Sequence, residues 1–290
     1  KKLKLNIKAF SLIDRGKYNE KYLIEKNVKK NKISCDYVDI DYSEFISKLK
    51  SIIDYQDQPI STITYFAQNQ LMKEVSKKKY KVILSGSGAD EMFAGYYDHF
   101  RQLATSLNKK QINEYFFYWK KFYLTKINNK RLKNFLHYKK NPRDKTLIYD
   151  YNDKINSYIK FNYKYQITEK KFYKSLLRNR MLNELFFEIT PATLRHEDLN
   201  CMQYSIENRS PFLDMDILNF MNTVPSSKLI QKGYLKYFLR TAFKDILLKD
   251  IYSNRDKIGF NASLKFFLKE ENKKKLKDFF LKDKVMKKFV

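Results

Sequence analysis

The stretch Lys81-Val-Ile-Leu-Ser-Gly-Ser-Gly-Ala-Asp-Glu-Met-Phe-Ala-Gly-Tyr96 decides how the chain is read. Lys81 to Leu84 is a short run that reads as a buried strand. Ser85, Gly86, Ser87 and Gly88 supply a tight turn. Ala89 to Ala94 begins a helix with two acids, Asp90 and Glu91, in its first turn. A strand, a glycine turn and a helix N-terminus in this order make an anion-binding corner, because backbone N–H groups point outward and the helix dipole favours negative charge. Asp90 and Glu91 stand where a metal bridging that anion would take oxygen ligands. The same spacing suits an ordinary β–α turn with capping acids, and spacing alone does not separate the two.

Working outward, the residues before the turn alternate between strand and helix patterns. Leu5, Ile7, Ala9 and Phe10 read as an alternating strand, and Ile33 to Ile40 as a second. Asn19 to Lys30 reads as a helix with Tyr22, Leu23 and Val28 inward, and Ser43 to Ile53 as another. Gln58-Pro59 breaks the pattern before Ile63 to Val75 resumes it. This alternation predicts an α/β fold, a parallel sheet with crossover helices. In such sheets ligands bind beyond the carboxyl ends of the strands, where the Ser85 turn lies.

From about Tyr97 the character changes. Residues 97–176 are rich in Lys, Asn, Tyr and Phe and carry mostly helical patterns. Phe116, Trp119, Lys120 and Tyr123 recur at helical spacing and read as core packing rather than a base-stacking surface. Asn141-Pro-Arg-Asp144 marks a loop, and residues 264–290 read as a very basic amphipathic surface helix. The expected organisation is an α/β part over residues 1–100 and a largely helical part of the same domain over residues 101–290.

Composition bounds the function classes. With 290 residues, 43% of them hydrophobic, the chain can bury a core and is not of disordered type. Six glycines and five prolines are few, which favours a helix-rich fold over a β-sandwich. The net charge of +27 raises a polyanion partner. The lysines are spread along the chain without an RNA-binding signature, so we read the charge as a coding bias and do not expect a nucleic-acid partner. Cys35 and Cys201 are far apart, His99, His137 and His196 do not cluster, and no zinc spacing occurs. No disulfide is implied, and a reducing cytoplasm fits. No run is long and apolar enough to span a bilayer.

The opening stretch also carries a resemblance. Leu84-Ser-Gly-Ser-Gly-Ala-Asp-Glu-Met-Phe-Ala-Gly-Tyr96 resembles a signature of the asparagine synthetase family, roughly LSGEGSDEhFGGY. Leu194-Arg-His-Glu-Asp-Leu-Asn-Cys-Met-Gln-Tyr-Ser-Ile-Glu-Asn-Arg-Ser-Pro-Phe-Leu-Asp214 resembles that family's R-x-x-D…E-x-R-x-P-F-L-D run. Lys236-Tyr-Phe-Leu-Arg240, followed by Arg255-Asp-Lys-Ile-Gly-Phe260, is a weaker third match. The three follow family order over most of the chain.

The resemblance implies a synthetase domain of the PP-loop, adenine-nucleotide alpha hydrolase-like fold. It implies ATP and Mg2+, a small-molecule carboxylate substrate, and a glutaminase domain or subunit that supplies ammonia; a homodimer is compatible with it. The family's carboxylate attacks the α-phosphate of ATP, and ammonia then displaces AMP. On this resemblance Ser85, Gly86, Ser87 and Gly88 contact the nucleotide, Asp90 serves magnesium, and Lys257 stabilises phosphate and oxyanion charge. Glu207 and Arg209 are expected as an ion pair beneath the site, with Asp214 a loop anchor.

Two departures follow. Asparagine-forming members carry Glu at the place of Ser87, and a serine cannot act as a carboxylate base. Glu197 or Asp198 could take that role, which leaves open an acceptor other than aspartate, such as a sugar acid or peptide. The family's SGGxDS pyrophosphate loop and its glutaminase domain precede the strand at Leu5 and are absent here. By itself this sequence is therefore expected to be inactive, either a piece of a longer or split enzyme or a remnant that binds a partner.

Overall fold

The computed structural model describes residues 7–14, 19–125 and 169–256, together with isolated positions at 133 and between 262 and 278. Strand β1 (Lys8–Ile13) pairs in parallel with β2 (Ser34–Asp39), Lys8 opposite Ser34 and Ile13 opposite Asp39. Helix α1 (Lys21–Asn31) is the crossover between them, as a parallel pair requires. Its expected inner face is partly wrong. Leu23 and Val28 are half-buried, whereas Tyr22 is 65% exposed and carries the Lys26 ammonium 4.2 Å above its ring. That cation–π contact gives the exposed ring a partner of its own.

Helix α2 (Phe45–Gln56) and helix α3 (Ile63–Lys77) lead to the central turn. Thr62 caps α3, its side chain accepting from the Thr64 N–H at 3.2 Å. Phe66, Ala67, Met72 and Val75 form the buried stripe of α3, at the spacing a helix needs to present one face. Strand β3 (Val82–Leu84) then pairs in parallel with β4 (Glu207–Arg209), Val82 opposite Glu207 and Leu84 opposite Arg209. Among the described residues the expected parallel sheet is thus two two-stranded pairs, β1–β2 and β3–β4. Both rest on α3: Phe10, Ile83 and Ile206 share one apolar cluster with Met72 and Val75.

The rest is helical. Helix α4 (Ala89–Phe93) follows the turn, then α5 (Tyr97–Ala104) and α6 (Lys109–Phe122). Asn108 and Gln111 close a capping box on α6, the Gln111 N–H donating to Asn108 Oδ1 at 2.9 Å. Ile112, Tyr115, Trp119 and Tyr123 form the buried face here, and Phe116 is 37% exposed, so the aromatic stripe packs as expected except at Phe116. Helix α7 (Leu176–Phe186) and helix α8 (Ile189–Met202) return to β4, and helices α9 (Met215–Thr223), α10 (Tyr237–Ala242) and α11 (Lys249–Tyr252) follow. The main core joins Ala89, Met92 and Phe93 to Phe100, Trp119, Met181 and Leu235, so α4 is packed on the helical part rather than standing free. The Asn141–Asp144 loop lies outside the described residues, as does most of the 264–290 segment; Phe267 is buried against Phe45 and Phe66. No described helix is long and apolar enough to cross a membrane.

Candidate functional site

Strands β3 and β4 leave their pair at the same end. Ser85 follows one and Ser210 ends the other, and their hydroxyl oxygens lie 3.0 Å apart. The Ser85 N–H donates to the Arg209 carbonyl at 2.8 Å, which extends the ladder up to the turn. Gly88 holds φ of +85°, and a Cβ there would stand 2.1 Å from Leu213 Cδ2. The turn therefore lies against the short 3-10 segment Pro211–Leu213 and accepts only glycine at this position. On the other side, a Cβ added at Gly86 would meet nothing within 4 Å, so the turn borders open space. Helix α4 has only five residues. Its dipole is correspondingly short, and any anion at the corner would depend on turn backbone and nearby cations more than on the helix.

The carboxylate of Glu197 closes the turn from α8. Ser87 Oγ donates to Glu197, 2.7 Å from Oε1 and 2.8 Å from Oε2. Asn208 Nδ2 donates to Oε2 at 3.0 Å, and Ser85 Oγ approaches the same oxygen at 3.5 Å. Glu197 is only 8% exposed, yet every one of these donors is neutral. Asp198 is on the exposed side of α8, because adjacent helical residues point about 100° apart. Glu197 is thus brought to the turn and Asp198 is not.

Asp90 faces a different partner. Its Oδ1 lies 2.9 Å from Lys236 Nζ, with both side chains 29% exposed. Lys236 adopts φ of 54°, and its N–H donates to the Ala94 carbonyl at 3.2 Å. A left-handed lysine is a strained conformation that this contact helps to hold. Lys257, the expected cation, lies outside the described residues. Among the described residues no three His, Cys, Asp or Glu side chains group to hold a metal. With Asp90 tied to Lys236, the described residues do not make a magnesium site of their own.

A buried polar chain supports α4 from behind. Tyr96 OH donates to Glu91 at 2.5 Å, and His99 Nε2 meets Glu184 at 2.5 Å. Arg180 donates to Glu184 at 2.9 Å and to both oxygens of Glu188 at 2.9 and 2.6 Å. Burial raises the Glu91 carboxyl above the usual carboxylate range, with the Tyr96 hydrogen bond opposing it. For Glu184 burial pushes up as well, but His99 and Arg180 more than offset it and hold the group ionised at neutral pH. Glu207 and Arg209 do pair, at 2.7 Å, but with 57% and 60% of their side chains exposed. Alternate residues of a strand share a face, and on β4 that face is solvent, so the pair is not beneath the site. Asp214 caps α9, accepting from the Asp216 N–H at 2.8 Å.

Sequence reasoning did not single out Asn208, Ser210, His99 or Glu184, and it quoted Lys236 without a role. Ser210 and Asn208 flank the last strand residue, Arg209, just as Ser85 follows Leu84; a parallel β3–β4 pairing, once suspected, would have found them. An open cleft of about 520 Å³ between β2, α2 and α3 includes no residue of the turn among its lining residues.

The chain matches the family described as asparagine synthase over residues 1–287. It is 25% identical over 297 positions to asparagine synthetase (glutamine-hydrolyzing) 1 of Bacillus subtilis (strain 168), a match that covers 91% of this chain and 42% of that protein. The chain therefore spans less than half the length of that relative. Nearly every residue, including the Ser85–Gly88 turn and the strand that pairs beside it, falls inside the family match, and the chain belongs to the asparagine synthase family.

Proposed function

We propose that this chain is the synthetase part of an ATP-dependent amide-forming ligase, which activates a carboxylate and passes it to a nitrogen nucleophile. One observation supports the reading above others: the open Ser85–Gly88 turn and the Glu197 carboxylate meet at the carboxyl ends of β3 and β4. That is where an α/β sheet places its ligands. In this reading the fold is of the PP-loop type, residues 1–100 form the nucleotide-binding part and residues 101–290 its helical companion. ATP supplies the leaving group that makes the carboxyl carbon electrophilic. Ser85, Gly86, Ser87 and Gly88 orient the nucleotide against the turn, and Lys236 and Lys257 neutralise phosphate charge. Asp90 would meet a Mg2+ ion only together with phosphate oxygens, as that ion commonly binds. The nitrogen is ammonia released from glutamine by another domain or subunit, and the setting is the cytoplasm.

Ser87 favours a second form of the same reading. The family's asparagine-forming members carry Glu there, so the acceptor is either aspartate handled by a different carboxylate or another acid such as a sugar acid or peptide. The test is carboxylate-dependent exchange of pyrophosphate into ATP by the full-length protein, run with aspartate and a panel of other acids. Exchange with one acid supports the reading and names the acceptor. No exchange with any acid, from a folded protein that binds ATP, overturns it.

A further inference from the structure

Helix α7 carries a strip of chain fastened along it, residues 169–173, which has neither helix nor strand of its own. The Lys170 N–H donates to Asn183 Oδ1 at 2.8 Å, Asn183 Nδ2 donates back to the Lys170 carbonyl at 2.9 Å, and the Phe172 N–H donates to Asn179 Oδ1 at 2.7 Å. Asn179 and Asn183 are one helical turn apart, about 6 Å along the axis, which matches the rise of about 6.6 Å across two extended residues. The strip is therefore extended and runs antiparallel to α7. Both asparagines are buried, and Glu169 adds an ion pair to Arg180 at 3.2 Å. These buried bonds hold four aromatic rings at the surface. Phe172, Tyr173, Phe186 and Phe187 are each 42–47% exposed. Phe172 stacks on Phe187 at 5.9 Å, and Phe186 closes the group at 6.5 and 6.4 Å from them. Contiguous exposed apolar side chains of this kind mark interaction surfaces.

We infer that this strip docks an extended, acidic segment of a partner polypeptide, which lays apolar side chains on the phenylalanine rings. Three observations select that occupant. The rim is basic: Lys170, Lys171 and Lys174 are exposed, the Lys170 ammonium lies 4.0 Å above the Phe187 ring, and the acids beside it, Glu169 and Glu188, are both tied to Arg180. An acidic partner complements that rim, whereas a second copy of a chain of net charge +27 would bring lysine against lysine. The surface is concave: Lys171, Phe172, Tyr173 and Leu176 line an open cleft of about 530 Å³. A flat lipid surface does not enter such a cleft. The backbone also has a free edge. Peptide groups alternate in direction along an extended run, so Lys170 and Phe172 face α7 and Lys171 faces away. The alternation ends at Tyr173, whose N–H bends back to the same Asn179 oxygen at 3.4 Å. The N–H and carbonyl of Lys171 have no hydrogen-bond partner among the described residues. An extended segment supplies both bonds by adding beside the strip, as peptides add to a sheet edge. No residue of the Ser85–Gly88 turn lines the cleft, so the surface stands apart from the ligase reading.

The experiment measures the fluorescence anisotropy of a labelled peptide of alternating Glu and Leu in the presence of the full-length protein. A peptide of alternating Glu and Ser reports the attraction due to net charge alone. The Glu-Leu peptide is expected to bind more tightly than the Glu-Ser peptide. Replacing both rings, Phe186→Ser with Phe187→Ser, is expected to weaken its binding about tenfold or more, because aromatic anchors carry much of the energy of a contact. Lys171→Glu should also weaken it by reversing charge on the rim, and this exposed substitution keeps the test decisive where the double ring variant does not fold. Lys171→Pro beside Lys171→Ser isolates the backbone. Both lose the ammonium, and only proline also loses the N–H, so weaker binding by the proline variant assigns the added strand. Glu-Leu binding no tighter than Glu-Ser binding overturns the proposal, as does equal binding by wild type and the folded variants, or equal binding by the proline and serine variants. Two further outcomes overturn it by naming another occupant. One is binding to phosphatidylserine vesicles that needs Phe186 and Phe187 while the peptide does not bind. The other is dimerisation of wild type in sedimentation that the ring variant abolishes.

Discussion

Asp90 and Lys236 meet at 2.9 Å over Gly95, and the absence of a side chain at Gly95 is what lets them meet. A Cβ on that residue would stand 1.8 Å from Asp90 Oδ1 and 2.6 Å from Lys236 Cε. Both atoms belong to side chains, but they are the two halves of one ion pair and cannot both move without separating. Gly95→Ala is therefore expected to break the pair and cost about 1–3 kcal/mol, the usual penalty for overpacking. The half-exposed pair itself is worth less than about 1 kcal/mol, so Lys236→Met should cost less stability than Gly95→Ala. Urea melts of the two variants decide this. Equal or reversed costs would mean that the glycine is kept for another reason.

Arg180 ties α7 to three acids, Glu169, Glu184 and Glu188, and is 2% exposed. Removing one member of a buried ionic group leaves buried negative charge undercompensated, typically at 3–5 kcal/mol. Arg180→Met is expected to lose about that much. Adding Glu184→Gln should recover part of it, because one of the stranded charges is gone. A double variant less stable than the single one, in chemical denaturation at pH 7, would show that His99 rather than Arg180 holds Glu184 in place.

Much of the fold was legible before the structure, and the reasons are particular. Helix α3 shows itself through Phe66, Ala67, Met72 and Val75 at helical spacing, and its observed span differs from the expectation by two residues at the end. Strand β3 was legible from Val82-Ile-Leu84 and the glycine turn behind it, but not as the buried run expected: Val82 is 43% and Leu84 66% exposed, and only Ile83 packs on the Met72–Val75 cluster. Strand β4 was not. Glu207-Asn-Arg209 has no apolar alternation, and its pairing comes from a backbone ladder of three residues with β3, in which side-chain pattern plays no part. That one missed pairing hid Asn208 and Ser210, which only it brings to the turn. Glu197 and Asp198 could be distinguished only once the rotation of α8 was fixed, and Lys236 only once its left-handed backbone placed it over Ala94.

The loop between β2 and α2 offers a pH test away from the candidate site. Burial alone would raise the Asp41 carboxyl, but hydrogen bonds from the Lys48 ammonium and from the hydroxyl and N–H of Ser43 outweigh it and hold the group at about 2. The unfolded value is about 3.9. A depressed folded value means that the stabilisation is complete above roughly pH 4 and is lost as the pH falls toward 2. The Asp41 side chain is 53% exposed, so screening limits the effect to under about 1 kcal/mol. Asp41→Asn should be slightly less stable than wild type at pH 7, with the gap closing below pH 4. A gap that stays constant down to pH 2 would assign the effect to packing rather than charge.

Ser87 stands where the family signature that this turn resembles carries glutamate. Restoring that glutamate in this chain is not expected to restore anything by itself. The hydroxyl of Ser87 already lies 2.7 and 2.8 Å from the two oxygens of Glu197. A longer carboxylate at residue 87 would be driven against a second, buried one. Two carboxylates in contact cannot both ionise, and one of the pair has its pKa raised. A raised carboxyl contributes stability below its unfolded value of about 4.3 and loses it as the pH climbs through the folded value. Ser87→Glu should therefore melt below wild type at pH 7 and recover toward it in mild acid. An expected cost of about 1–2 kcal/mol corresponds to several degrees in Tm for a chain of this size. The double variant Ser87→Glu with Glu197→Gln leaves one carboxylate in the same space and should regain most of that loss at pH 7. If Ser87→Glu is as stable as wild type at every pH, the two carboxylates do not meet, and the closeness of Ser87 to Glu197 is not the constraint described here.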